Sequence, residues 1–193
     1  MDDLFSALPS SVAQPRSRIA QIDEIRAGAG NDIVDLTSSR FEYDGDGITV
    51  YGGNGDDVIW ANKGNYILSG DAGDDRIVGG SGDDIITGGS GDDLLHGGGG
   101  DDIFCFGGNW GIDSVEQLSG GSVTLWFDCN EEDVTVDGST YICGENSVIV
   151  TGVETVSLKF AGDDTSALPE GVFTDSEKST IFEELNSNNG TIA

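Results

Sequence analysis

From Gly52 to Cys105 a large apolar residue recurs at every ninth position: Ile59, Leu68, Ile77, Ile86, Leu95 and Phe104. Around these anchors the chain reads as unbroken nonapeptides: GGNGDDVIW, ANKGNYILS, GDAGDDRIV, GGSGDDIIT, GGSGDDLLH and GGGGDDIFC. The first six positions of each are polar and glycine-rich. The last three are mostly β-branched or aromatic, which suits a short strand. The pattern therefore predicts a six-residue turn followed by a three-residue strand, repeated without insertion. Glycine holds the fourth position throughout (Gly55, Gly64, Gly73, Gly82, Gly91, Gly100), where positive φ and close backbone approach are tolerated. In a strand successive side chains alternate faces, so the eighth-position residues should stack as one interior ladder. Two nonapeptides complete a coil, so every second turn falls on the same side.

The sixth position is aspartate in five copies, Asp57, Asp75, Asp84, Asp93 and Asp102, and tyrosine (Tyr66) in the other. Stacking puts Asp57, Asp75 and Asp93 on one side and Tyr66, Asp84 and Asp102 on the other. Same-side turns lie about one strand spacing apart, roughly 4.8 Å. Carboxylates about 5 Å apart repel by roughly 3 kcal/mol at an effective dielectric near 20. Several such pairs would consume most of a domain's usual 5–15 kcal/mol or so of stability. The stack therefore needs a cation between turns. Carboxylates and main-chain carbonyls in a pliable loop suit Ca²⁺ better than Mg²⁺ or Zn²⁺. Gly-Asp pairs are also ordinary turn chemistry, which accounts for one or two copies but not for a register held over the whole run.

Ala27 to Asp35 (AGAGNDIVD) is an outlying copy with Asp32 at the sixth position and Val34 at the eighth. It should share a side with Asp57. Phe106 to Asp113 reads as a stretched final turn that pairs Asp93 with Asp113. The candidate metal-ligating residues are thus Asp32, Asp57, Asp75, Asp84, Asp93, Asp102 and Asp113. Their turn neighbours complete the set: Gly52, Asn54 and Asp56; Gly70, Ala72 and Asp74; Gly79, Ser81 and Asp83; Gly88, Ser90 and Asp92. About four to six Ca²⁺ ions are expected if each gap takes one ion of ordinary oxygen coordination. Tyr66 removes a carboxylate, so the gap between its turn and that of Asp84 should bind weakly or not at all.

The repeat resembles the RTX, or haemolysin-type, nonapeptide, G-G-x-G-x-D-x-U-x. The resemblance spans about Ala27 to Asp113. It implies an all-β fold: a right-handed parallel β-roll, a β-solenoid of nonapeptide repeats, here with a C-terminal antiparallel β cap. It also implies a calcium-binding role for the sixth-position aspartates, folding driven by calcium outside the cell, and export through a type I secretion apparatus. The parent protein would be an adhesin or toxin, or alternatively a secreted enzyme such as a protease, lipase or polysaccharide-modifying enzyme. Tyr66 and the three cysteines depart from the family pattern.

The remaining chain divides into 1–26, a lead-in and N-terminal cap; 114–161, a β-rich capping region; and 162–193, an acidic tail that could carry the export signal. Ile19, Ile22 and Ile25 are spaced for a short helix or a cap. Thr37 to Asp46 reads as a long turn before a strand, GITVY. VTLWFD, VTVDG, TYIC, SVIVT and TVSLKF should form antiparallel strands over the last coil. Asp175 to Leu185 could form a short helix. Ile67, Ile85 and Ile103 share an outward seventh position. That row suggests a face covered by the segment after Gly120 or by a partner, or else simple strand propensity.

Charge narrows the function further. The chain has 36 acidic and 8 basic residues, a formal charge of −28. Nucleic acid and anionic membranes are excluded as partners, since both need a basic surface. No apolar run is long enough to span a membrane, and residues 1–15 lack the features of a cleaved signal peptide. A monomeric module of a larger secreted or surface chain is expected. H-E-x-x-H, G-x-S-x-G and P-loop patterns are all missing, so a non-enzymatic role is expected. His96, the single histidine, reads as an outward surface residue. Trp60, Trp110 and Trp126 read as packing. Cys129 and Cys143 could pair across strands or remain free buried thiols.

Overall fold

The computed structural model describes residues 17–20, 22–38, 41–44, 47–117, 120–153 and 155–160. Within them, seventeen strands are numbered along the chain. One sheet holds β3 (Ile33–Asp35), β6 (Val58–Trp60), β8 (Arg76–Ser81), β10 (Leu94–Gly99) and β12 (Ile112–Glu116), followed by β16 (Asn146–Thr151), β15 (Thr140–Cys143) and β14 (Val134–Asp137). The facing sheet runs β2 (Glu24–Ala29), β5 (Ile48–Asn54), β7 (Tyr66–Ala72), β9 (Ile85–Ser90), β11 (Asp102–Phe106), β13 (Val123–Phe127) and β17 (Val156–Lys159). From β5 to β13 the chain alternates between the sheets, and neighbours within each sheet are parallel. This is a parallel β-roll.

The register is the one the nonapeptide period dictates. Ile59 pairs with Ile77 and Ile77 with Leu95; Leu68 pairs with Ile86 and Ile86 with Phe104. All six ladder residues are fully buried. At about 1.5–3 kcal/mol for each large apolar side chain taken from water, this stack is the main apolar contribution to the fold. The ladder continues through Val115, Leu125 and Val150. It ends in an aromatic cluster in which Phe127 lies 5.4 Å from Phe106, 5.8 Å from Trp110 and 6.1 Å from Phe160, ring centre to ring centre. Trp110 and Trp126 are buried, whereas Trp60 is 36% exposed.

Most repeat strands are longer than three residues. They continue into the first positions of the next repeat because the main chain keeps pairing there: Gly53 lies opposite Asp71, and Asn54 opposite Ala72. Coils approach so closely at this point that a β-carbon on Gly53 would fall 1.8 Å from the Gly28 carbonyl oxygen, at φ +111°.

Several expectations are corrected. Ile19 to Ile25 form no helix; β1 (Ser17–Ala20) and β2 occupy that stretch, and Ile22 and Ile25 pack on the core. The long turn contains a strand, β4 (Phe41–Asp44), paired in parallel with β1. The cap is only partly antiparallel. β13, β16 and β17 join the roll in parallel, so the roll runs past Asp113, and only β15 pairs antiparallel, with β14 and β16 on either side. Ile67, Ile85 and Ile103 are buried, as a covered face requires. Yet the described segment after Gly120 extends the same sheet with β13 and β17 and does not lie across it. His96 is 8% exposed, not a surface residue. Val78 and Glu116 flank it in register, and its Nδ1 lies 3.4 Å from Glu116 Oε2. The 175–185 helix and the rest of the tail lie outside the described residues. Among the described residues no helix is long and apolar enough to cross a membrane.

Candidate metal centre

Five of the six nonapeptide turns from Gly52 to Cys105 present two adjacent aspartates, and these point opposite ways along the roll. The fifth-position residue reaches forward. The Asp74 N–H donates to Asp56 Oδ1 at 3.1 Å, Asp92 N–H to Asp74 Oδ1 at 2.9 Å, and Asp101 N–H to Asp83 Oδ1 at 2.8 Å. The sixth-position residue reaches back. The Asp32 N–H donates to Asp57 Oδ1 and Asp57 N–H to Asp75 Oδ1, both at 2.7 Å. Asp75 N–H then donates to Asp93 Oδ1 at 2.7 Å and Asp93 N–H to Asp113 Oδ1 at 3.0 Å. On the other side Tyr66 N–H donates to Asp84 Oδ1 at 2.8 Å, and Asp84 N–H to Asp102 Oδ1 at 3.0 Å. Adjacent turns are thus held by a reciprocal pair of carboxylate–amide bonds.

The two kinds of carboxylate differ in their second oxygen. Asp56, Asp74 and Asp92 sit at the surface, where water solvates it. Asp57, Asp75, Asp84, Asp93 and Asp113 are buried, and the Oδ2 of each has no hydrogen-bond partner; the buried Oδ2 of Asp32 is likewise unpaired. Leaving a buried charged oxygen unpaired is costly, so a column of them marks places built for a cation.

The space for that cation is made by the first-position glycines. A β-carbon on Gly52 would lie 2.4 Å from Asp57 Oδ2 and 2.8 Å from the Gly70 carbonyl oxygen. The same hollow recurs at Gly70, against Asp75 Oδ2 and Gly88 O, and at Gly79, against Asp84 Oδ2 and Gly97 O. At Gly88 the β-carbon would strike Asp93 Oδ2. Gly97 therefore belongs to the site, although its side-chain-free sequence position carried no charge to single it out. Among the described residues no three His, Cys, Asp or Glu side chains converge. The donors are one carboxylate oxygen with main-chain carbonyls, a hard-oxygen set that fits Ca²⁺ and not Zn²⁺. The carbonyls of Asn54, Ala72, Ser81 and Ser90 already accept hydrogen bonds from Gly30, Gly55, Gly64 and Gly73. A carbonyl has a second lone pair, so these remain usable as ligands.

Two residues close hollows without metal. The first is the Tyr66 turn. The tyrosine is buried and its hydroxyl donates to its own turn, at the Lys63 carbonyl, 3.2 Å away. Its first position is Ala61, also buried, so a methyl group sits where the other repeats leave a hollow. Tyr66→Asp alone is expected to bind no extra ion and to destabilise the roll by a few kcal/mol, through lost packing and an uncompensated charge. Ala61→Gly combined with Tyr66→Asp is expected to bind one more calcium per chain, read by titration calorimetry. An unchanged ion count in the double variant would refute the assignment of the hollow.

The second is Gln117, buried and outside the repeat. Its Nε2 donates to Asp102 Oδ2 at 2.9 Å, and its Oε1 is unpaired. Asp102 thus differs from the other sixth-position carboxylates: its outer oxygen faces an amide rather than an open hollow. Nothing in the repeat period points to a glutamine fifteen residues later.

Burial dominates the acid–base behaviour of the column. It pushes the Asp75, Asp84 and Asp113 carboxyls up to about 8 and Asp93 up to about 7. Amide hydrogen bonds oppose the rise, and neighbouring aspartates add to it. Asp57 and Asp102 are also raised, again chiefly by burial. Folded-state values above the ordinary carboxylate range mean that the metal-free roll binds protons more tightly than the unfolded chain. Its stability is therefore full below about pH 4 and is lost as pH rises through about 7–8. In chelator, the strand signal in circular dichroism is expected to be absent at pH 8 and to return as pH is lowered towards 5, with protons standing in for calcium. A signal that instead falls steadily on acidification would contradict this.

A parallel roll with columns of hard-oxygen hollows between its turns belongs to the class of calcium-binding β-solenoids. Residues 20–38, 49–68 and 69–104 match the family model of the RTX calcium-binding nonapeptide repeat, in four copies. These segments carry RTX nonapeptide repeats, and the repeats form a calcium-binding β-roll. No curated protein matches it.

Proposed function

We propose that this roll is a calcium-triggered folding module that supports type I secretion and outside-the-cell folding of a larger secreted or surface protein, an adhesin or toxin, with no catalysis of its own. The observation that carries the reading is the column of buried, half-satisfied carboxylates. Calcium at the concentration found outside cells neutralises it, and the scarce calcium of a cytosol does not. RTX repeats are typical of extracellular proteins. The formal charge of −28 would keep the calcium-free chain extended and suited to export. Residues 162–193 are the candidate export signal.

A calcium titration of the full chain, followed by circular dichroism, tests the trigger. Half-folding is expected at about 10⁻⁴–10⁻³ M, the range of extracellular calcium modules. Half-folding below micromolar calcium would leave the chain already folded inside a cell and overturn the reading. Coexpression with a type I exporter tests the route. The chain should reach the medium, and deletion of 162–193 should stop it. Retention of the intact chain inside the cell would overturn the route while leaving the trigger standing.

A further inference from the structure

We propose that Cys129 and Cys143 are a disulfide site that clamps the two sheets together at the C-terminal end of the roll. The geometry starts from Phe127 and Tyr141, whose ring centres lie 6.4 Å apart. Phe127 ends β13 in one sheet, and Tyr141 lies in β15 of the other. Cys143 lies two residues beyond Tyr141 on the same face of β15, and Cys129 lies two residues beyond Phe127 in the bend that follows β13. The Cys143 thiol is near enough to act on that of Cys129. Both residues are half-buried against the aromatic end of the core.

The bond would matter because of where it falls. β14 and β15 lie at the outer end of the eight-stranded sheet. That end of a solenoid frays first, since it has neighbours on one side only. β13 belongs to the facing sheet, so a Cys129–Cys143 bond ties the hairpin to the body of the roll across the aromatic plug. The bond also closes a short loop, which restricts the unfolded chain.

Forming it requires an oxidant, here a small-molecule disulfide. One cysteine thiolate attacks oxidised glutathione and releases one glutathione thiolate. The second cysteine thiolate attacks the resulting mixed disulfide at the protein sulfur, forms the S–S bond and releases the second glutathione. Two thiol protons pass to solvent. Burial holds the Cys129 thiol up to about 12, so the exchange should be slow at neutral pH and faster in alkali. Cys105 is buried, and burial pushes it likewise to about 12; it has no cysteine neighbour among the described residues and serves as the internal control.

The test uses the calcium-loaded full chain with excess oxidised glutathione. The expected result is an intact mass lower by two hydrogens, a crosslinked peptide containing Cys129 and Cys143, and Cys105 still alkylatable once the chain is denatured. The unfolding midpoint should rise by several degrees on oxidation. Cys105→Ser should keep both effects, and Cys129→Ser should lose both. Stable glutathione adducts, crosslinked dimers, or thiols that remain free when the same reagent oxidises the denatured chain would each overturn the proposal. The peptide map on the unaltered chain decides the matter even if Cys129→Ser fails to fold.

Discussion

Excess chelator at pH 8 is expected to abolish the strand signal of the β-roll and to turn a sharp melting transition into a featureless trace. Five sixth-position aspartates of the columns, Asp57, Asp75, Asp84, Asp93 and Asp113, are 0–3% exposed. The unpaired oxygens of Asp57, Asp75, Asp84 and Asp93 face glycine hollows, not water. A shift of one pKa unit corresponds to about 1.4 kcal/mol. The rises to about 7–8 at Asp75, Asp84, Asp93 and Asp113 therefore amount, after discounting, to a cost comparable with the 5–15 kcal/mol or so that a domain has in hand. Calcium reverses the sign. At about 100 times its dissociation constant a ligand contributes about 2.7 kcal/mol per site, so four independent sites contribute on the order of 11 kcal/mol. Restoring calcium should restore the signal. A strand signal unchanged in chelator at pH 8 would show that the columns stand without metal and would refute the account of the fold given above.

Asp75→Ala is expected to be the most damaging single substitution in the columns. Asp75 sits in the middle of the longer one. Its Oδ1 accepts the Asp57 N–H at 2.7 Å, and its own N–H donates to Asp93 Oδ1. Removing the carboxylate leaves a buried N–H unpaired, at a cost of about 1–3 kcal/mol. It also takes one ligand from the neighbouring calcium, worth up to about 2.7 kcal/mol at saturation. A total on the order of 4 kcal/mol should appear as a lower melting temperature in saturating calcium and a several-fold higher calcium midpoint. Asp137→Ala, at an exposed position in the outer hairpin, should change neither. If Asp75→Ala left the calcium midpoint unmoved, the sixth-position column would not be the metal site.

The nine-residue period was sufficient for the core of this protein. A regular repeat is a local instruction given many times, and each copy meets the same partners eighteen residues away. The interior ladder from Ile59 to Phe104, the two-sided arrangement of carboxylates and the Asp32–Asp57 and Asp93–Asp113 pairs all follow from counting. So does the calcium chemistry, because like charges in register leave few alternatives.

What the period could not reach is where the repeat ends or falters. Runs such as VTLWFD have the same composition whether they pair parallel or antiparallel. Their direction was decided by the edge the roll offered, and β13, β16 and β17 accepted it in parallel. Gln117 meets Asp102 only because β12 brings the chain back beside that turn. Ala61 reads as an ordinary residue until the hollow it fills is seen to recur under Gly52, Gly70 and Gly79. The opposite directions of the fifth- and sixth-position carboxylates depend on backbone geometry that two adjacent aspartates do not encode. The nonapeptide period dictates the repeating cross-section and its ion; which turns are open to that ion, and how the roll is closed, depend on contacts between segments that share no periodicity.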